Sequence, residues 1–318
     1  MQTLTQTILQ VFEGYRMEAT AIDEYDTKGK QLLAERIENF TSSNRPIRFA
    51  MLGLPFKSIN HSDKVLGTLP DLGEQLTVMN FEAFNANVQK HYAPGIKILV
   101  ASDGYVFNDL LNVSNAEVDT YKRINLDFRS NSTLEIVDLA QLYTAGSIED
   151  KRTRLMQQFG YTWERIEKEM LFNPDVNMLY KGMMRFMEEE LADKPYDSNN
   201  QRHKAAKKLA RDMMLRNEAF NQLVRSELPD HIRLSMHQSV NNGYKYSFKL
   251  IPGNQTRHSP WHSSIVMRGN EAITMHKADA LKAGYTIVNK KSQPYNFVDY
   301  GFERDQEGNG NEYTYIIK

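Results

Sequence analysis

From Leu4 to about Phe40 the apolar positions recur at helical spacing, with Ile8, Leu9, Phe12 and Tyr15 on one stripe and Leu32, Leu33 and Ile37 on another. A polar stretch around Asp26 to Gly29 separates the stripes, so the pattern predicts two helices. The period then changes. Continuous apolar runs at Ile47 to Leu54, Ile96 to Ala101 and Leu134 to Leu139 read as buried strands; Pro55 ends the first, and Ser102-Asp103-Gly104 follows the second. Helical patterns from Leu76 to Tyr92 and from Val113 to Arg129 lie between these runs, which favours parallel pairing through crossover helices.

From about Ser147 to Ser226 the chain is rich in Met, Leu, Glu, Lys and Arg and nearly free of glycine, with a break at Lys194-Pro195-Tyr196-Asp197. It reads as a helical insert. The methionines Met178, Met183, Met184 and Met187 suit adaptable core packing, and the basic run Arg202 to Arg216 reads as a solvated face. Beyond Pro229, short strands are predicted at Ile232 to Met236, Tyr244 to Ile251, Ser264 to Met267, Tyr285 to Val288 and Tyr313 to Ile317. Turns fall at Asn242-Gly243, Pro252-Gly253 and Gly308-Asn309-Gly310, and a short helix from Ala278 to Ala283 is capped by Gly284. The expected fold class is α/β, a Rossmann-like, mostly parallel sheet with a helical insert and a strand-rich C-terminal part. One compact unit, 1–318, would comprise N-terminal helices (1–45), a Rossmann-like half (46–146), the insert (147–228) and a strand-rich part completing the site (229–318).

Composition narrows the chemistry. Lysine plus arginine number 39 and aspartate plus glutamate 40, so a formal charge of -1 gives no global field for nucleic acid or membrane. Any anion site must be local. The absence of cysteine removes disulfides, thiolate catalysis and Cys-ligated metals. MQTLTQTILQVFEGYRMEAT has no basic leader before an apolar run, and no segment approaches the ~18 apolar residues of a spanning helix, so a cytoplasmic location is expected. Neither a GxGxxG fingerprint after a strand nor a Walker A sequence is present, and there is no GxSxG elbow.

Polar side chains concentrate in four stretches beside predicted strand ends, where α/β folds place ligands. The first, Leu54-Pro55-Phe56-Lys57-Ser58-Ile59-Asn60, runs on through Lys64-Val65-Leu66-Gly67 to Leu69-Pro70-Asp71-Leu72-Gly73-Glu74. It sets Lys57 and Lys64 where a strand's edge meets solvent, either as surface lysines or as ligands of an anion. The second is Ser102-Asp103-Gly104-Tyr105-Val106-Phe107-Asn108-Asp109. In the third, Ile232-Arg233-Leu234-Ser235-Met236-His237 running on to Lys245, alternation puts Arg233, Ser235 and His237 on one strand face. That face is either exposed or a site. The fourth is His258-Ser259-Pro260-Trp261-His262, whose Pro260 argues against a regular helix aligning His258 with His262. A zinc or iron site built from His237, His258, His262 and Asp103 is the minority alternative.

Taken together, these stretches resemble the pyoverdine/dityrosine biosynthesis family, whose bacterial members include isocyanide synthases. The LPFKSxN, KVLGxLPDxGE and SDGxVFND motifs stand between Leu54 and Asp109, and RLSxH at Arg233 to His237. Pro260-Trp261-His262 and the segment Met275 to Val288 look similar too, so the resemblance covers about residues 45 to 290. Gln238 stands where a proline would be expected and Ser259 where a threonine would.

The resemblance implies an isonitrile synthase in which the amine of an aromatic L-amino acid condenses with the C2 ketone of ribulose 5-phosphate. L-Tyrosine is favoured over L-tryptophan. Loss of phosphate and fragmentation of the sugar would leave one carbon on nitrogen. Such chemistry needs a cationic pocket, groups that move protons near neutral pH, and an apolar side-chain pocket. Lys57, Lys64, Arg233 and Lys245 are the phosphate and carboxylate candidates, with Ser102 and Trp261 beside the substrates. His237, His258 and His262 are the proton-transfer candidates, Asp103 an orienter or base, and Lys57 a possible Schiff-base former. Phe56, Tyr105, Phe107 and Trp261 are pocket walls or core. No metal, flavin, nicotinamide or nucleotide cofactor is expected, ribulose 5-phosphate being the co-substrate, and an iron/2-oxoglutarate oxygenase acting on the isonitrile is an implied downstream partner. The competing readings are a metal-dependent lyase or oxygenase on the same scaffold and a non-catalytic phosphosugar or amino-acid binding protein.

Overall fold

The computed structural model describes residues 3–19, 23–237, 244–253 and 258–299. Helices α1 (Leu4–Gly14) and α2 (Lys30–Thr41) follow the two apolar stripes, and the polar break falls in a π-type turn, Tyr25–Gly29. Next come β1 (Ile47–Leu52), α3 (Leu72–Gln89), β2 (Ile96–Ser102), the single turn α4 (Gly104–Phe107), α5 (Asn115–Asp127), β3 (Leu134–Asp138) and α6 (Leu139–Leu142). The insert comprises α7 (Ile148–Phe159), α8 (Trp163–Phe172), α9 (Pro174–Glu190) and the long α10 (Asn199–Glu227). Strands β4 (Ile232–Ser235) and β5 (Lys245–Ser247) precede a second sheet of β6 (Ser264–Arg268), β7 (Glu271–Met275), β8 (Thr286–Lys290) and β9 (Gln293–Val298), with α11 (Lys277–Lys282) between β7 and β8.

The first sheet has five strands in the order β3-β2-β1-β4-β5, all parallel. Its apolar runs are continuous because both faces are covered. Phe49 of β1 stacks on Phe12 of α1 at 6.2 Å and meets Phe84 of α3 at 5.5 Å, so one face packs against α1 and α3. The chain winds outward from β1 through β2 to β3, returns through the insert, and adds β4 and β5 on the other side of β1. Strand order therefore reverses between β1 and β4. Open parallel sheets bind ligands at such a reversal, outside the strands' carboxyl ends.

Two expectations need correction here. The run from Tyr244 to Ile251 forms only the short β5, and β4 and β5 extend the parallel sheet instead of joining the later strands. The second sheet, ordered β7-β6-β9-β8, contains two strands that the pattern missed. Pro294 hid β9, because proline cannot donate within a ladder. It is tolerated opposite Asn289, where the β8–β9 register shifts. Gly284 lies beyond α11 at φ +86°, the left-handed conformation expected of a helix-ending glycine. The predicted strand Tyr313 to Ile317 and the turns at Asn242-Gly243 and Gly308-Asn309-Gly310 lie outside the described residues.

In the insert, Met187 is fully buried, but Met178 is mostly exposed, as are Leu171, Phe172 and Leu179, so core packing does not account for it. The basic run is solvated over most of its length except at its end. There Arg216 forks onto Asp109 at 2.6 and 2.9 Å and ties α10 to the loop after α4. No helix among the described residues is long and apolar enough to cross a membrane.

Candidate active site

The chain leaves β1 through a tight passage. Leu54 adopts φ +52°, unusual for a side-chain-bearing residue, and Ser102 donates a hydrogen bond to the Leu54 carbonyl at 2.9 Å. A Cβ on Gly104 would lie 2.6 Å from the Pro55 carbonyl oxygen, and one on Gly53 2.8 Å from the Trp261 ring, so both glycines permit close approach. The ends of β1 and β2 and the Pro260–His262 turn are thereby locked together. Ser102 and Trp261, expected beside substrates, are buried parts of this lock, and Phe56, Tyr105 and Phe107 are buried in the main core.

Asp103 sits between β2 and α4. Its Oδ1 is buried without a hydrogen-bond partner, and burial pushes its carboxyl up to about 6, against the lowering effect of its own backbone N–H. A carboxyl so placed exchanges its proton near neutral pH.

Lys57 does not face an open pocket. Its buried ammonium forms ion pairs with Asp71 and Glu74, each at 2.8 Å, and donates to the Pro260 carbonyl at 2.9 Å. Tyr121 donates to the other Glu74 oxygen at 2.7 Å. Burial opposes the lysine's charge, but Asp71 and Glu74 outweigh it and hold the pKa above the ordinary value. These contacts tie the ammonium into the fold, a structural role beside those of phosphate binding and Schiff-base formation expected from the sequence. Burial raises the Asp71 carboxyl to about 7 despite Lys57. Asp71 also caps α3, with Glu74 closing the box.

Lys64 is likewise neutralised, by Glu189 at 2.8 Å and Glu190 at 3.0 Å, and it lies over the Phe186 ring. Glu190 is buried, accepting also from Ser58 Oγ at 2.7 Å and the Ile59 backbone at 3.1 Å. These carboxylates come from α9, in a part of the chain read only as packing. The signal was there: Glu188-Glu189-Glu190 ends a helix, where the dipole disfavours negative charge. Lys277 fixes the same loop through the His61 carbonyl at 2.7 Å.

His262 packs edge-on against Phe186, with Nδ1 3.0 Å from Ser259 Oγ. Burial lowers its pKa to about 4, Glu190 acting in the opposite sense, so the ring is neutral at physiological pH and able to accept a proton. Between pH 6.5 and 4 the native state therefore binds fewer protons than the unfolded chain, and stability falls as pH falls through that window. His262→Asn should lose about 3 kcal/mol less stability than the parent between pH 7 and pH 4. Urea titrations at both pH values check this; equal losses would contradict the burial argument. His258 stacks at 5.0 Å on His276, a residue that sequence inspection passed over and whose pKa burial also lowers.

Arg233 and Lys245 lie opposite each other on β4 and β5. Arg233 is 2% exposed, and its Nε and Nη1 have no hydrogen-bond partner. Burial and neighbouring cations hold both residues below their ordinary pKa values, with Tyr244 and Glu218 acting in the opposite sense at Arg233 and Lys245 respectively. His237 follows β4 on the surface, where its backbone N–H donates to Ser235 Oγ at 3.1 Å. Gln238 lies outside the described residues. No three His, Asp or Glu side chains among the described residues converge as metal ligands.

The sequence profile of the family described as "Pyoverdine/dityrosine biosynthesis protein" matches residues 37–288. An L-tryptophan isonitrile synthase of Fischerella ambigua is 29% identical over 83% of this chain and 81% of its own. An L-tyrosine isonitrile synthase of Pseudomonas aeruginosa is 28% identical over 90% of this chain and 89% of its own. The crystal structure of the PvcA protein from Pseudomonas aeruginosa superposes with a TM-score of 0.85 at 26% identity, covering 93% of this chain and 99% of that one.

Proposed function

The chain belongs to the pyoverdine/dityrosine biosynthesis family, and from that premise we propose that it is an isonitrile synthase acting on an aromatic L-amino acid, L-tyrosine ahead of L-tryptophan, with ribulose 5-phosphate as the carbon donor. The observation that carries this reading is Asp103, a buried carboxyl with an unpartnered oxygen and a pKa of about 6 at the end of β2, beside the exit of β1. Condensing an amine with a ketone requires the ammonium to lose its proton first and the nitrogen to lose another as water departs. A carboxylate titrating near the working pH suits both steps better than an ordinary aspartate. His262, neutral at physiological pH and next to Trp261 in the chain, is a second proton acceptor. A binding protein for the same ligands has no need of a buried carboxyl poised in this way.

Incubation with ribulose 5-phosphate and, in turn, L-tyrosine, L-tryptophan and L-phenylalanine tests the amine donor. The specificity constant should be highest for L-tyrosine, and a lead of about 10⁴ over L-phenylalanine would mean a buried partner for the phenol. Faster turnover of L-tryptophan overturns the choice of tyrosine, and absence of isonitrile from all three overturns the reading.

A further inference from the structure

Resting on the isonitrile synthase reading only for the identity of its natural ligand, we propose that Arg233, Lys245, Arg225 and Tyr244 form a pocket for a phosphomonoester dianion, the phosphate of ribulose 5-phosphate. Sequence inspection offered four cations for this task without ranking them, and included neither Arg225 nor Tyr244. The geometry separates them. Lys57 and Lys64 each face two carboxylates, an arrangement that repels a dianion. Arg233 and Lys245 instead stand side by side across two parallel strands, like charges that disfavour each other unless something negative lies between them.

A third cation comes from α10. Arg225, in its last turn, lies 4.3 Å over the ring of Tyr244, the residue before β5, and adds to the positive field at both Arg233 and Lys245. Against these cations the described residues set Tyr244, which hydrogen-bonds Arg233, and one carboxylate, Glu218, which also accepts from Gln222 at 2.8 Å. His231, on Arg233's side of β4, has its pKa lowered by burial and adds no compensating charge. An arginine buried to 98% with two unused donor atoms carries a desolvation cost that a bound anion would repay. Three cations facing one carboxylate match a dianion, whereas the single charge of an amino-acid carboxylate would leave an excess. An arginine fork combined with a lysine point charge also suits a tetrahedral phosphate better than a planar carboxylate.

Calorimetry on the intact chain with ribulose 5-phosphate, inorganic phosphate, ribulose and L-tyrosine tests the assignment. Arg225 is exposed on its helix, so Arg225→Gln should fold like the parent, as should Lys245→Gln; Arg233→Met keeps length and burial while removing charge. Each should weaken ribulose 5-phosphate about 10- to 100-fold, weaken inorganic phosphate in parallel, and leave L-tyrosine affinity unchanged. Ribulose should bind parent and variants alike. Parent-like binding of ribulose 5-phosphate by the folded Arg225→Gln and Lys245→Gln proteins overturns the pocket, as does a loss confined to L-tyrosine, which would make it the carboxylate site. The two readings fail separately. If isonitrile forms while these variants bind the sugar phosphate normally, the pocket is wrong and the reaction stands. If the variants lose phosphate binding but the parent makes no isonitrile, the pocket stands and the reaction is wrong.

Discussion

Lys57→Met should destabilise the protein by about 3–5 kcal/mol, the usual cost of removing one partner from a buried ion pair. The lysine holds Asp71, Glu74 and the Pro260 carbonyl at 2.8–2.9 Å, joining the exit of β1, the first turn of α3 and the turn bearing Trp261 and His262. Methionine preserves the length but supplies no donor. Two carboxylates would then share an apolar site, and Asp71, raised by burial to about 7 even with Lys57 in place, would take up a proton before Glu74 could share the site with it. Adding Asp71→Asn and Glu74→Gln to Lys57→Met should recover part of the loss, because neutral amides cost less to bury than unpaired carboxylates. Urea unfolding measures both effects. A loss below about 1 kcal/mol for Lys57→Met would mean that the lysine is not the strut described here and would reopen its case as a ligand.

Asp103→Asn should lower kcat by about 10²- to 10⁴-fold while changing KM little, the range for losing a positioned general base. The parent's kcat/KM should rise with pH on an acid limb centred about 6, since the base works only when ionised and burial has raised its pKa to that value. The residual activity of the variant should lack that limb. His262 contributes no limb near 6, because its pKa lies at about 4 and it is already neutral there. A variant within about threefold of the parent, or one that keeps the same acid limb, would remove Asp103 from the proton-transfer role.

Strands β1, β2 and β3 were legible because each is an apolar run bounded by turn residues and separated by helical periodicity. With parallel order established, Lys57, Asp103 and His237 had to lie at or beyond carboxyl ends of strands. Alternation along β4 likewise placed Arg233 and Ser235 on one face. What the sequence concealed was pairing at a distance. Lys57 and Lys64 looked like an anion site because their neutralising carboxylates are either hidden within a helix-capping sequence, Asp71 to Glu74, or supplied by α9 from 126 residues further along the chain. Burial was equally invisible for Asp103, where Asp-Gly reads as a turn, and for His262, whose pKa burial lowers and whose ring packs edge-on against Phe186. Arg225 was missed because an arginine on a polar helix reads as solvated, and only the return of α10 toward β4 and β5 gives it neighbours.

The most direct test of the account follows a single carbon. Ribulose 5-phosphate labelled with ¹³C at C2, the carbon that the amine attacks, is incubated with L-tyrosine and the enzyme, and the product is read by mass spectrometry and by infrared absorption of the isonitrile stretch. The account predicts a tyrosine-derived isonitrile that carries the label on its terminal carbon, with phosphate released. An isonitrile without the label, or labelled sugar phosphate recovered intact beside unchanged tyrosine, would contradict it.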